Sequence, residues 1–162
     1  MEVLSRPAEE FGNDETLEHL WAAKAIEYSD IHFNVLCSVD MRWLQLTPHD
    51  DLIYTTFRQD FPDLNVSNVK EHEIKSNVNK VKWRMFCEKF KNIVEDYSFG
   101  TLLRVDCKGD YSERNTMLVP RVQFYAIEIA RNRENLNNEV KRLFKCSSKN
   151  NTQSQEQVQI AV

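Results

Sequence analysis

The chain has 162 residues, with 25 acidic and 21 basic side chains and a formal charge of −4. One core of ordinary size fits that length and two do not. The weak acidity excludes a generic nucleic-acid coat, which needs a basic excess to displace counterions from phosphates.

Residues 1–12 read as a polar lead-in, 13–146 as one helical domain and 147–162 as a disordered polar tail rich in Ser, Asn, Gln and Thr. Met1 to Phe11 has no apolar run of the kind a secretory signal needs. No stretch approaches the ~20 apolar residues that cross a bilayer. A soluble, cytosolic protein is the expectation. Cys37, Cys87, Cys107 and Cys146 lie far apart, without the close pair that metal and redox motifs require.

Asn13 caps the first expected helix, with Asp14 and Glu15 in its first turn, where the helix dipole favours acids. Leu17, Trp21, Lys24, Tyr28, Ile31 and Val35 follow at helical spacing toward Ser38, and Lys24 snorkels from that stripe. Asp40 caps a short turn carrying Met41 and Leu44. Thr47-Pro48-His49-Asp50 opens a second helix with Ile53, Phe57 and Phe61 inward, and Pro62 stops it. Residues 64–69 fit no clear pattern. Trp83, Phe86, Cys87, Phe90, Ile93, Val94 and Tyr97 predict the clearest helix, closed near Gly100 by a C-cap. Residues 101–107 alternate and read as a short strand, pairing with 117–119. Pro120 then opens the most apolar segment, 121–133. It reads as a central helix, with a strand as the alternative. Leu136, Val140, Leu143 and Phe144 outline a last amphipathic helix. The fold class is mainly α, with at most a short hairpin near 101–119.

Chemistry is limited by what is missing. Gly12, Gly100 and Gly109 are the three glycines, too scattered for a phosphate-cradling loop or a dinucleotide fingerprint. His19, His32, His49 and His72 show no metal-site spacing. His49-Asp50-Asp51 reads as a helix N-terminus rather than a metal cluster, because consecutive residues splay around a helix. The same geometry makes Glu95-Asp96 a solvated end or a partner contact rather than an acid–base pair. Trp21, Trp43 and Trp83 read as core or partial core. Glu128 stands out as an acid in an apolar segment, with Arg131 three residues on and Arg104 in the preceding element. It is either half of a buried ion pair or an acid on a binding face. No catalytic residue, metal site or cofactor is expected.

The stretch Val94-Glu95-Asp96-Tyr97-Ser98-Phe99-Gly100-Thr101-Leu102-Leu103-Arg104 is distinctive, as is the run from Val119-Pro120-Arg121 through Phe124-Tyr125-Ala126-Ile127-Glu128 to Arg131-Asn132-Arg133-Glu134. Together with Phe11-Gly12-Asn13-Asp14 and Lys82-Trp83-Arg84 they resemble the eukaryotic polysaccharide biosynthesis domain-containing protein 1 family over about residues 7–137. The short polar tail departs from the long acidic extension of some relatives. The resemblance implies a mainly helical, cytosolic and non-enzymatic chaperone that binds nascent translation elongation factor 1-alpha. It would help the client's GTP-binding domain fold, with GTP bound by the client and possible proximity to the ribosome. Glu95, Asp96, Gly100, Arg104, Pro120, Arg121, Glu128, Arg131 and Arg133 are the motif positions carried over as candidate partner-binding residues. A sugar-acid methyltransferase, suggested by the family name, and a ribosome- or RNA-associated module are the competing readings. The first lacks a glycine-rich cofactor turn.

Overall fold

The computed structural model describes residues 15–144; the expected lead-in, the Asn13 cap and the expected polar tail lie outside them. The elements run α1 (Glu15–Ser38), α2 (Asp50–Asp60), α3 (Glu71–Lys75), α4 (Asn77–Glu88), β1 (Gly100–Arg104), β2 (Thr116–Pro120) and α5 (Arg121–Arg133). Residues 138–144 are helical again. The mainly α class is as expected, and the two strands form one small antiparallel sheet.

Residues 121–133 are helix, settling the alternative left by the apolar pattern. Pro120 starts α5 from an extended φ of −59° and ψ of 148°, and ten of the helix's residues from Val122 to Asn132 are buried. The helix packs against α2, α4 and both strands, so apolar side chains are wanted all round it. The expected pairing of the strands is present in the register Gly100↔Pro120, Leu102↔Leu118 and Arg104↔Thr116. Thr101, Leu103, Met117 and Val119 turn inward, while Leu118 faces out. The segment 64–69, without a clear pattern in the sequence, has a definite place. Val69 N–H donates to Val105 O at 2.9 Å and Cys107 N–H to Ser67 O at 2.9 Å, so it extends the sheet beyond β1.

On the other side of α5, aromatic rings fill the space between α2 and α4. Phe61 and Trp83 stack at 4.1 Å between centroids, and Trp83 meets Phe86 edge-on at 5.5 Å. These contacts fix the inner face of α4.

Four expectations are corrected. The helix through Trp83 does not reach Gly100. It ends at Glu88, and the chain continues in tight turns such as Phe90 N–H to Cys87 O and Ile93 N–H to Phe90 O. Phe90 and Val94 stay buried through these turns, which swing the chain round to enter β1, with Asp96 in the left-handed region at φ 52°. Gly100 is accordingly no C-cap but the first residue of β1. The apolar stripe of α1 is also rotated. Its buried positions are Ala25, Ser29, His32 and Leu36, while Ile31 is 52% exposed. Ser29 satisfies its hydroxyl on Ile26 O and His32 enters a buried polar cluster, so two polar residues hold places that a hydrophobicity rule gives to apolar ones. Finally, Trp43 is 81% exposed and belongs to no core.

Gly100 is required by close approach. A Cβ there would overlap the Trp21 indole, which lies across the strand start from α1. Gly100→Ala is expected to destabilise the fold by about 1–3 kcal/mol through this overlap. Trp21→Ala in the same chain should make the two losses less than additive in urea titrations. Strict additivity would show that the ring does not press on this glycine.

Candidate functional site

The candidate residues fall in three places. Arg104, Glu128 and Arg131 meet in the interior, all with 0% exposure. Each is brought there by a different rule. Arg104 ends β1, where strand alternation breaks and both it and Leu103 turn inward. Glu128 and Arg131 are one helical turn apart on α5 and therefore share a face.

The cluster is held by fixed hydrogen-bond geometry. Arg131 Nη1 donates to Glu128 Oε1 at 2.7 Å, its Nε to Val66 O at 2.7 Å, and its Nη2 to Arg104 O at 2.8 Å. Arg104 Nη2 spans both Glu128 oxygens at 3.2 Å and donates to Asn137 Oδ1 at 2.8 Å, while its Nη1 donates to Cys107 O at 2.7 Å. Asn137 completes the ring by donating Nδ2 to Glu128 Oε2 at 3.0 Å and to Asn132 Oδ1 at 2.7 Å. One carboxylate faces two guanidiniums, and backbone carbonyls take several of the other guanidinium donors, while Arg104 Nε is buried without a hydrogen-bond partner among the described residues. The segment 64–69, the end of β1 and the chain after α5 are thus all tied to one helix.

Sequence reasoning found Arg104, Glu128 and Arg131 but missed His32, Tyr111 and Asn137. His32 Nδ1 lies 2.6 Å from Tyr111 Oη, and its Nε2 lies 3.8 Å from Glu128 Oε2. Only the spacing Ser29, His32, Leu36 could have pointed inward. Burial works to raise the Glu128 carboxyl, but Arg104 and Arg131, helped by His32, outweigh it and hold the group well below its ordinary range. Burial pushes His32 down to about 4 against the pull of Glu128, and the two guanidiniums push the same way. Tyr111 is raised by burial and by Glu128. At neutral pH the cluster is one anion, two cations and a neutral imidazole.

The second place is the seam between the turns after α4 and the start of α5. Arg121 Nη1 lies 3.6 Å from Asp96 and reaches Glu95 O at 3.4 Å. Its guanidinium sits 5.2 Å over Tyr28 and 5.1 Å over Phe99. Gly100 and Pro120 face each other across the hairpin mouth directly beside it. Glu95, Asp96, Gly100, Pro120 and Arg121 therefore form one neighbourhood, bound to α1 through aromatic faces. The third place is the outer end of α5. Arg133 pairs there with Asp51 and covers the Tyr54 ring at 5.2 Å, while Arg58 grips Glu134 with two 2.7 Å bonds. Arg133 also lines a groove of about 400 Å3 with Met41, Leu44 and Ile129.

Of the nine candidates, the three interior ones are out of reach of a partner docking on the folded domain. Asp50 is buried as well. It accepts from Leu46 N–H and Thr47 N–H, which is a helix-start role and matches the reading of His49-Asp50-Asp51. Among the described residues no group of three His, Cys, Asp or Glu side chains converges as a metal site.

Glu128→Gln strands two buried guanidiniums and is expected to cost about 3 kcal/mol or more in urea titrations. A loss within experimental error would place this carboxylate outside the folding core. Acid should weaken the fold in two stages. Below His32's ordinary value of 6.5 the unfolded chain takes up a proton that the folded chain refuses until about 4, so stability falls with pH across that window, by roughly 3 kcal/mol in total. Below Glu128's ordinary 4.5 the unfolded carboxyl protonates first, and the stability from its ion pairs is lost as pH falls further. His32→Gln should flatten the upper stage and leave the lower one, read as urea midpoints across a pH series.

Comparison with known proteins shows the family and the fold. Residues 17–142 match the model of a family described as PBDC1 protein. Protein PBDC1 of Mus musculus is 50% identical over 138 residues, which are 85% of this chain and 70% of the mouse protein. Protein PBDC1 of Homo sapiens is 49% identical over 138 residues, 85% of this chain but only 59% of the human protein. A solution NMR structure of a Saccharomyces cerevisiae protein superposes with a TM-score of 0.75 at 39% identity, covering 85% of this chain and 97% of that one. With the family model spanning most of the chain and about half of the aligned residues shared with the mammalian proteins, this chain belongs to the PBDC1 family.

Proposed function

We propose that this domain is a non-enzymatic, protein-binding chaperone that helps the GTP-binding domain of nascent translation elongation factor 1-alpha to fold. The client comes from the family resemblance. The observation that carries the protein-binding part is how the polar and apolar groups are divided. The charged residues of the two family motifs are largely spent on holding the fold, whereas large apolar side chains stand in solvent: Trp43 at 81%, Val78 at 78% and Met85 at 66% exposure.

Features of the described residues also favour binding over catalysis. Gly100 and Gly109 are pressed against Trp21 and the Asn115 side-chain amide, so neither opens a phosphate cradle. Burial pushes the Cys87 thiol up to about 12 and raises Cys37 and Cys107, which keeps them from the thiolate form a nucleophile needs. No helix among the described residues is long and apolar enough to cross a membrane. Cytosolic residence belongs with this reading and with the client.

Affinity capture from cell lysate, with and without added GTP and read by mass spectrometry, tests the client directly. Elongation factor 1-alpha should be enriched, and its absence under both conditions would overturn the proposal. Calorimetric titration of the isolated chain with GTP and with S-adenosylmethionine should show no binding tighter than about a millimolar, some 4 kcal/mol. Micromolar S-adenosylmethionine binding would instead favour a transferase.

A further inference from the structure

The outward face of α4 is an interaction surface, and we infer that it receives an acidic amphipathic helix of a partner protein. Val78, Val81 and Met85 recur at i, i+3 and i+7 and form one stripe, yet they are 78%, 57% and 66% exposed. The stripe runs for about two helical turns, roughly 10 Å. Lys80 and Arg84, one turn apart, line its flank, and among the described residues neither side chain has an ion-pair or hydrogen-bond partner. Two neighbouring cations are engaged. Lys82 sits 4.6 Å over the Phe61 ring and Lys89 bonds Asp60 at 2.6 Å. Glu88, the one acid on this helix, accepts from Tyr97 Oη at 3.0 Å.

Two properties make this a prepared surface rather than scattered exposed side chains. The inner face of the helix is clamped by the Phe61–Trp83 stack, so the outer face is presented without ordering cost. Met85 adds an unbranched, polarisable side chain that adapts to the shape laid against it.

Charge complementarity selects the occupant. Free cations beside an apolar stripe match a helix with apolar residues on one side and carboxylates along its edge. A second copy of this chain would set Lys80 and Arg84 against like charges. A nucleic acid would leave the stripe without a role, because the aromatic residues of α4, Trp83 and Phe86, are buried and offer no stacking platform. This surface does not depend on which client the domain serves.

The test uses the isotope-labelled full chain and four probes: a designed amphipathic peptide with leucines on one face and glutamates on its flanks, the same peptide with lysines for glutamates, a poly-uridine oligonucleotide, and phosphatidylserine vesicles. The glutamate peptide should bind and shift the resonances of Val78, Val81 and Met85. The pair Val81→Ser and Met85→Ser, and separately the pair Lys80→Glu and Arg84→Glu, should each weaken it about tenfold or more with the melt unchanged. The charge-reversed chain should then prefer the lysine peptide. Equal binding of both peptides to the wild-type chain, peptide shifts on another face, or tighter binding of oligonucleotide or vesicles that ignores the serine changes would overturn the proposal.

Discussion

Everything in this domain is arranged around one buried carboxylate. Glu128 has 0% exposure, and an isolated carboxylate in such a place would be too costly to remain ionised. Arg131 and Arg104 make it tenable, and each brings a piece of the chain with it. Arg131 also binds the carbonyls of Val66, Arg104 and Val105, while Arg104 binds those of Cys107 and Gly109. The ion pairs are thus attached to the backbone of the 64–69 segment, the sheet and the loop after it. Such a cluster contributes less net stability than an apolar core of the same volume would. What it adds is directional: an apolar core tolerates small slippage, whereas these bonds fit one register of β1 against α5.

The arrangement also separates duties within the family motifs. A motif rich in charged residues invites a functional reading, and in this domain its interior members serve the scaffold. Arg121 occupies a middle position. It joins the two motifs to each other through Asp96 and Glu95, and joins both to α1 through Tyr28 and Phe99. Among the described residues, the most exposed large apolar side chains, Trp43 and then Val78 and Met85 on α4, lie outside those motifs. The proposal of a protein-binding role rests on this division.

Much of the architecture was legible in the residues, element by element. Pro120 followed by an apolar run favoured a helix over a strand at α5, Pro62 marked the end of α2, and the alternation of 101–107 marked β1 and its partner. The site was half legible. An acid in an apolar segment needs a cation, and Arg131 at i+3 with Arg104 in the preceding element were the available ones. Where the reading failed, long-range contacts had overridden local pattern. The periodicity from Trp83 to Tyr97 is real as a record of burial, since Phe90 and Val94 are buried. The backbone there nevertheless turns out of the helix to enter the sheet.

The sequence by itself determined the class of structure, the central place of the segment 121–133 and the need of Glu128 for a cation if it is buried. Those follow from spacing and from the cost of burying charge, both of which are local or nearly so. Only the tertiary structure decided that His32, 79 residues before Tyr111 in the chain, would complete the cluster. It alone decided that Gly100 would yield its side-chain space to Trp21, and that Trp43 would stand outside the core. Each of these depends on which surfaces meet, and hydrophobic burial is non-directional. The residue pattern says how much must be buried; the packing of α1 and α5 around the sheet selects the partners.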